Sequence, residues 1–244
     1  MKLNLIMPMG GSGTRFGNTN FDVPKPLITI YDKPFFYWAT QSIARFVKLE
    51  SLTFVILKDH IDRFSLDTNI LSYYPNASIV IIPKVLPGAL LTCIEGVKQI
   101  KNNNPILFND CDHLFLCNSF YKFCKNQSNT ECNGGLLTFN SNEPRFSYIG
   151  YDENGLFKET KEKCVISSDA ICGAYFFKNK QLFLEASRVY QSHCPYDEFF
   201  VSGVYNFLKN KKTIKAFRTD AHVSFGTPEE YYNAQKDTTY KALD

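Results

Sequence analysis

Directly after an apolar run at residues 3–7 stands Gly10-Gly11-Ser12-Gly13-Thr14-Arg15-Phe16-Gly17, four glycines in eight residues. Backbone this bare can approach a ligand closely and turn its N–H groups toward anionic oxygens. No Gly-Lys-Ser/Thr closes the loop, so it is not a Walker loop. Arg15 also occupies ground that the dinucleotide fingerprint keeps for small residues. An arginine inside a glycine loop suits bidentate contact with phosphate oxygens. Shortly afterwards, Pro24-Lys25-Pro26-Leu27 holds a second cation, Lys25, between two stiffening prolines. A glycine-rich surface turn with a solvated arginine is the plainer alternative.

The second cluster is acidic. In Asn109-Asp110-Cys111-Asp112-His113, two carboxylates one residue apart follow the apolar run 106–108. Ligands of open α/β sheets bind outside the carboxyl ends of the strands. Such a pair can grip a hard divalent cation, Mg²⁺ above all, with substrate phosphates completing the shell. A solvated turn with one Asp capping the next helix is the competing reading. Glu162-Lys163 follows a polar stretch, 152–161, and by residue type alone passes for solvated surface charge. The four histidines, His60, His113, His193 and His222, share no metal-ligand spacing. Only His113, beside Asp112, and His222, just before a Gly-Thr turn, could join a site. No Ser-His-Asp or Cys-His arrangement is recognisable.

Positioning these groups falls to strands and helices in alternation. Apolar runs at 3–7, 53–57, 79–82, 106–108, 135–139, 171–177 and 213–217 read as strands. Helical spacing marks 34–49, 60–73 and 89–101, the first opening on Pro34, which a helix tolerates in its first turn. This pattern predicts an α/β fold with a mainly parallel mixed sheet, covered by helices on both faces. Asn102-Asn103-Asn104-Pro105 reads as a turn and 126–134 as a polar loop. No linker or repeat divides the chain, so residues 1–244 are expected to form one domain.

Composition narrows the function further. Of 244 residues 44% are hydrophobic, enough for a substantial core, and 27 Lys and Arg against 24 Asp and Glu leave a net charge of only +3. No basic block appears, which argues against nucleic acid as a partner. No run of eighteen apolar residues could span a membrane, and the N-terminal apolar stretch is too short for a secretion signal. Eight cysteines without a CxxC pair are expected to be reduced core residues, which points to the cytoplasm. The 14 Tyr and 22 Phe fit core packing better than a base-stacking platform. Phe120-Tyr121-Lys122-Phe123, in a helical stretch, could also lie over an acceptor pocket.

Residues 9–17 followed by Val23-Pro24-Lys25-Pro26-Leu27 resemble the signature of the sugar-phosphate nucleotidyltransferases, and in particular their short, single-domain capsule-type subgroup. The likeness continues through Leu86-Pro87-Gly88-Ala89 and on to Thr92, similar to the family's base-recognition turn, and Asp112, which matches its metal aspartate. It runs on through Glu162-Lys163, Asp197-Glu198-Phe199-Phe200-Val201 and the closing Gly226-Thr227-Pro228-Glu229-Glu230, spanning roughly residues 3 to 235. The resemblance implies a Rossmann-like GT-A fold and Mg²⁺-dependent transfer of a nucleotidyl group. The acceptor's phosphate attacks the α-phosphorus of a nucleoside triphosphate, and pyrophosphate leaves. It implies nucleotide contacts at Met9, Gly10, Gly11, Gly13, Thr14, Arg15, Lys25 and Gly88. It also implies catalytic roles for Arg15, Lys25 and Asp112, and metal contacts at Asp112 with Asp110 as the weaker candidate.

On the acceptor side the resemblance implies Glu162, Lys163, Gly173 and Glu198. The expected partners are a nucleoside triphosphate and a phosphorylated small molecule, most simply a sugar 1-phosphate destined for capsule or another surface polysaccharide. A homo-oligomer is compatible with this reading. A phosphorylated non-sugar served by a cytidylyltransferase is an alternative; so are a GT-A glycosyltransferase, which needs no arginine-bearing loop, and a non-catalytic nucleotide-sugar sensor. The chain departs from the family at one point. Many members carry a second metal aspartate just before the closing Gly-Thr, but His222-Val223-Ser224-Phe225 offers no carboxylate there. The expectation is that Asp112 anchors the metal, with water and phosphates filling the vacancy ahead of Asp110, Glu198 or Asp220.

Overall fold

In the computed structural model, residues 1–16, 21–126 and 131–243 are described. Gly17, the last glycine of the loop, and residues 127–130 of the expected polar loop lie outside them. The chain runs β1 (Leu3–Met9), β2 (Thr29–Ile30), β3 (Lys33–Pro34), α1 (Phe35–Ala44), β4 (Leu49–Leu57), α2 (Lys58–Phe64), α3 (Leu66–Tyr73), β5 (Ser78–Ile82), α4 (Ala89–Val97) and β6 (Ile106–Asn109). It continues through β7 (His113–Leu116), α5 (Asn118–Lys125), β8 (Gly134–Asn140), β9 (Ser147–Tyr151), β10 (Phe157–Glu162) and β11 (Asp169–Phe177). The last elements are α6 (Lys180–His193), β12 (Ile214–Arg218), β13 (Ala221–Ser224) and α7 (Pro228–Ala234).

The main sheet has the order β10-β9-β11-β6-β1-β4-β5, with β8 and β12 attached beside β11. Strands β6, β1, β4 and β5 are mutually parallel. Strand β11 runs antiparallel to β6, β8 and β9, and β12 lies parallel to β8. This is the mixed α/β sheet expected. The side-chain period of two divides its core. Leu3, Leu5, Met7 and Met9 of β1 pack on one face with Phe36 and Ala39 of α1 and Phe120 of α5. Ile6 points to the other face, where Cys93 and Val97 of α4 meet Phe183 of α6. A third cluster joins Phe16, Trp38, Leu114, Val223, Phe225 and Tyr240. It fastens the end of the glycine loop and the short β7–β13 ribbon to α1.

All seven predicted strands form, most of them longer than their apolar runs. The helices differ more. Pro34 lies before the first helical residue, extended at ψ 156° and paired with Thr29 across the β2–β3 hairpin, so α1 starts at Phe35. The stretch 60–73 is two helices, because Ser65 takes a left-handed φ of 51° between them. Helix α4 ends at Val97, after which Ile100 N bonds Val97 O in a tighter turn. Phe120 and Phe123 pack into the core, both rings buried against Phe176 and Phe217. The eight cysteines are free, six of them buried. Among the described residues no helix is long and apolar enough to cross a membrane.

Candidate active site

Because β1 and β6 are parallel neighbours, their carboxyl ends share one edge of the sheet. The glycine loop leaves β1 there, and the acidic segment leaves β6. Between them lies a cavity of about 600 Å³, walled on its far sides by residues 85–89, Thr92, Glu198 and Gly226. Met9, Gly10, Gly11, Gly13, Thr14, Arg15, Lys25, Gly88, Asp110, Asp112 and Glu198, all singled out in the sequence, line it together. Glu162, Lys163 and Gly173 stand outside that lining. Asp220 is engaged elsewhere, its Oδ2 accepting from Asn118 N at the head of α5.

The centre of the cavity is an ion pair. Lys25 Nζ lies 2.5 Å from Asp112 Oδ2. Burial works against both charges, but the Lys25 ammonium holds Asp112 well below the usual carboxylate range. Asp112 in turn raises Lys25 despite the burial that would lower it. Asp110 behaves oppositely. Burial, reinforced by the neighbouring Asp112 charge and only partly relieved by Lys25, pushes it up to about 7. Burial likewise lifts the Cys111 thiol to about 12, which favours its protonated form.

Each carboxylate packs closely against a glycine. A Cβ on Gly226 would come within 2.4 Å of Asp112 Oδ2, and one on Gly173 within 2.7 Å of Asp110 Oδ2. Gly173 stands in a bulge of β11, between Ile171 and Tyr175, where its carbonyl accepts from Asp110 N at 2.9 Å. The donor set is hard: one ionised carboxylate and one that needs a proton or a cation nearby, which suits Mg²⁺. Among the described residues, no three His, Cys, Asp or Glu side chains form a ready metal cage. Any cation held here takes most of its ligands from elsewhere.

The opposite wall depends on Gly88. Its φ is 102°, and a Cβ there would meet the backbone N of Phe199 at 2.4 Å. The close approach lets Leu90 N bond Phe199 O at 3.0 Å and Phe199 N bond Pro87 O at 3.2 Å, which pins the turn to the 197–200 segment. Thr92, four residues after Gly88 and therefore on the same side of α4, also lines the cavity. It closes the stretch that the sequence resemblance marked as the base-recognition turn.

Glu162 and Lys163 sit at the end of β10 and its exit. Glu162 Oε1 accepts from the hydroxyls of Ser147 and Ser202. Burial outweighs those bonds and raises the Glu162 carboxyl. Lys163 takes a left-handed φ of 52°, and its exposed Nζ stands 5.6 Å from the centre of the Phe200 ring. A lysine held in that conformation stores strain of about 1–2 kcal/mol, a cost found at sites where direction matters. The two histidines noted in the sequence meet behind Asp112. His113 Nδ1 lies 2.8 Å from His222 Nε2, and Ser224 faces His113 across the ribbon. Arg145, unremarked in the sequence, bridges Glu143 and Glu230 close by.

The family model described as Nucleotidyl transferase matches residues 3–241. A D-glycero-alpha-D-manno-heptose 1-phosphate guanylyltransferase of Campylobacter jejuni is 26% identical over 236 residues, which covers 95% of this chain and 98% of the relative. A nucleoside-diphosphate-sugar pyrophosphorylase of Vibrio cholerae superposes with a TM-score of 0.80 at 18% identity, covering 96% of this chain and 100% of that one. The inositol-1-phosphate CTP transferase of T. maritima gives 0.74 at 15% identity, covering 100% of this chain and 94% of that one. The likenesses bear out the Rossmann-like fold.

Proposed function

The chain belongs to the nucleotidyl transferase family, and on that premise we propose that it transfers a nucleotidyl group from a nucleoside triphosphate to a sugar 1-phosphate, releasing pyrophosphate. One observation carries the reading: the arginine-bearing glycine loop, Lys25 and Asp112 face one cavity at the carboxyl edge of β1 and β6. The heptose 1-phosphate guanylyltransferase relative supports a sugar 1-phosphate as acceptor. A glycosyltransferase would have no use for Arg15 in the loop.

In this reading Gly10, Gly11 and Gly13 present backbone N–H groups to the nucleotide, and the Gly88 turn faces its base. Exposed Arg15 and partly buried Lys25 neutralise the triphosphate and the charge that builds on the departing pyrophosphate. Lys163 orients the acceptor's phosphate for in-line attack, with Glu162, Gly173 and Glu198 shaping that side. Asp112 and, less strongly, Asp110 would hold Mg²⁺, which supplies Lewis-acid neutralisation of phosphate oxygens. Positioning and charge suffice, so no covalent enzyme intermediate forms. We place the enzyme in the cytoplasm as a single domain, supplying activated sugar for capsule or another surface polysaccharide.

The test is pyrophosphate release. Each common triphosphate is mixed with Mg²⁺ and a panel of hexose and heptose 1-phosphates, with phosphorylated non-sugars as a separate arm. Release that needs both a triphosphate and a sugar 1-phosphate supports the reading. Release only with the non-sugars moves the enzyme to the cytidylyltransferase type, and none with any pair removes the activity.

A further inference from the structure

Behind Asp112 stand two histidines that the proposed reaction leaves without a task. His113 Nε2 faces Asp112 Oδ1 at 3.5 Å, while the other carboxylate oxygen, Oδ2, takes Lys25. His113 Nδ1 meets His222 Nε2 at 2.8 Å. The second ring is itself fixed. It lies flat on Phe139, with centroids 3.8 Å apart and planes 20° from parallel. Phe139 meets Phe146 edge-on at 5.0 Å, and the Arg145 guanidinium covers Phe146 at 4.4 Å while its NH2 nitrogen binds Glu230 Oε1 at 2.6 Å.

With both rings neutral, one placement of hydrogens satisfies this line. A carboxylate oxygen can only accept, so His113 turns an Nε2–H toward Asp112. Its Nδ1 then accepts, and His222 Nε2–H donates to it. Both side chains come from one antiparallel ribbon, His113 from β7 and His222 from β13. The ribbon thus carries its own brace against the carboxylate that leads it.

We propose that His222 is a positioning residue: acting through His113, it keeps Asp112 turned so that Oδ2 faces the cavity. Outer partners of this kind orient metal-binding carboxylates, and their loss typically weakens metal binding by about 10–100-fold. The proposal rests on Asp112 being the cation's anchor.

Two variants separate positioning from packing. H222F keeps a flat ring on Phe139 but loses the donor. H222Q loses the ring but returns an amide N–H near the place of Nε2. Mn²⁺ affinity is read by EPR with the α,β-methylene analogues of GTP, CTP, UTP and dTTP in turn, and thermal unfolding is measured alongside. The expected result is opposite orders: H222F at least as stable as H222Q, yet binding Mn²⁺ about tenfold more weakly than wild type, with H222Q within about threefold of wild type. Wild-type affinity in H222F overturns the proposal, as does equal weakening in both variants, which would make the ring's packing the cause. D112N separates the brace from the anchor. If it weakens Mn²⁺ binding while H222F does not, only the brace fails. If it binds as wild type does, or wild type binds no Mn²⁺, the anchor fails and the brace with it.

Discussion

Lys25 Nζ and Asp112 Oδ2, 87 residues apart in the chain, lie 2.5 Å apart in space. The cation that would bind Asp112 therefore finds an ammonium already there. A triphosphate that draws Lys25 toward its own oxygens frees the carboxylate, so metal and nucleotide binding are coupled by one side chain. Mg²⁺ should bind the nucleotide-free protein weakly and the nucleotide complex much more tightly. K25A should bind Mg²⁺ without nucleotide about tenfold more tightly than wild type, because one competing charge is gone, while its turnover falls. Calorimetric titration of both proteins checks this. Equal affinities would mean that the pair does not gate the metal.

Arg15 is exposed and makes no ion pair with another described residue. Its removal should leave stability within about 0.5 kcal/mol of wild type. If it meets charge that develops on the leaving pyrophosphate, R15A should lose about a hundredfold in turnover, near 3 kcal/mol, with a smaller loss in ground-state nucleotide binding. Steady-state kinetics beside a nucleotide titration reads both. Unchanged turnover returns the loop to an ordinary surface turn.

Lys163 offers a trade between strain and use. At φ 52° glycine is the relaxed residue. K163G should be at least as stable as wild type, yet raise KM for the acceptor with nucleotide binding unaltered. Thermal unfolding and two separate substrate titrations distinguish the effects. Comparable damage to nucleotide binding would move Lys163 to the triphosphate side.

Glu162 gives a pH dependence with a definite sign. Its carboxyl is raised by burial, so the folded protein keeps that proton to higher pH than the unfolded chain. The associated stability is complete below the unfolded value of about 4.3 and is lost as pH rises through the folded value. E162Q, neutral throughout, should be more stable than wild type at neutral pH, and its advantage should vanish near pH 4. Denaturant unfolding at the two pH values measures this. An advantage that does not change with pH would show that the carboxylate's charge is not what costs stability.

Much of this fold was legible because parallel strands buried on both faces must be continuous apolar runs, as at 3–7 and 53–57. Strand β10 was not. Phe-Lys-Glu-Thr-Lys-Glu buries only Phe157 and Thr160, so a sheet strand with one wet side reads as polar surface. Ser65 ended a helix by a backbone conformation that its residue type does not announce. At the site, glycine spacing and paired carboxylates marked both halves in advance. Their meeting, and the histidine brace behind Asp112, depend on β1 and β6 lying side by side and on the β7–β13 pairing, contacts too distant in sequence for local pattern to reveal.

In the proposed reaction the acceptor's own phosphate attacks the α-phosphorus. It is tested most directly with a sugar 1-phosphate whose non-bridging phosphate oxygens carry ¹⁸O, followed by ³¹P NMR of the products. The expected products are unlabelled pyrophosphate and a nucleoside diphosphate sugar with ¹⁸O bridging its two phosphorus atoms. Label in the pyrophosphate, or a product whose bridging oxygen carries none, would contradict it.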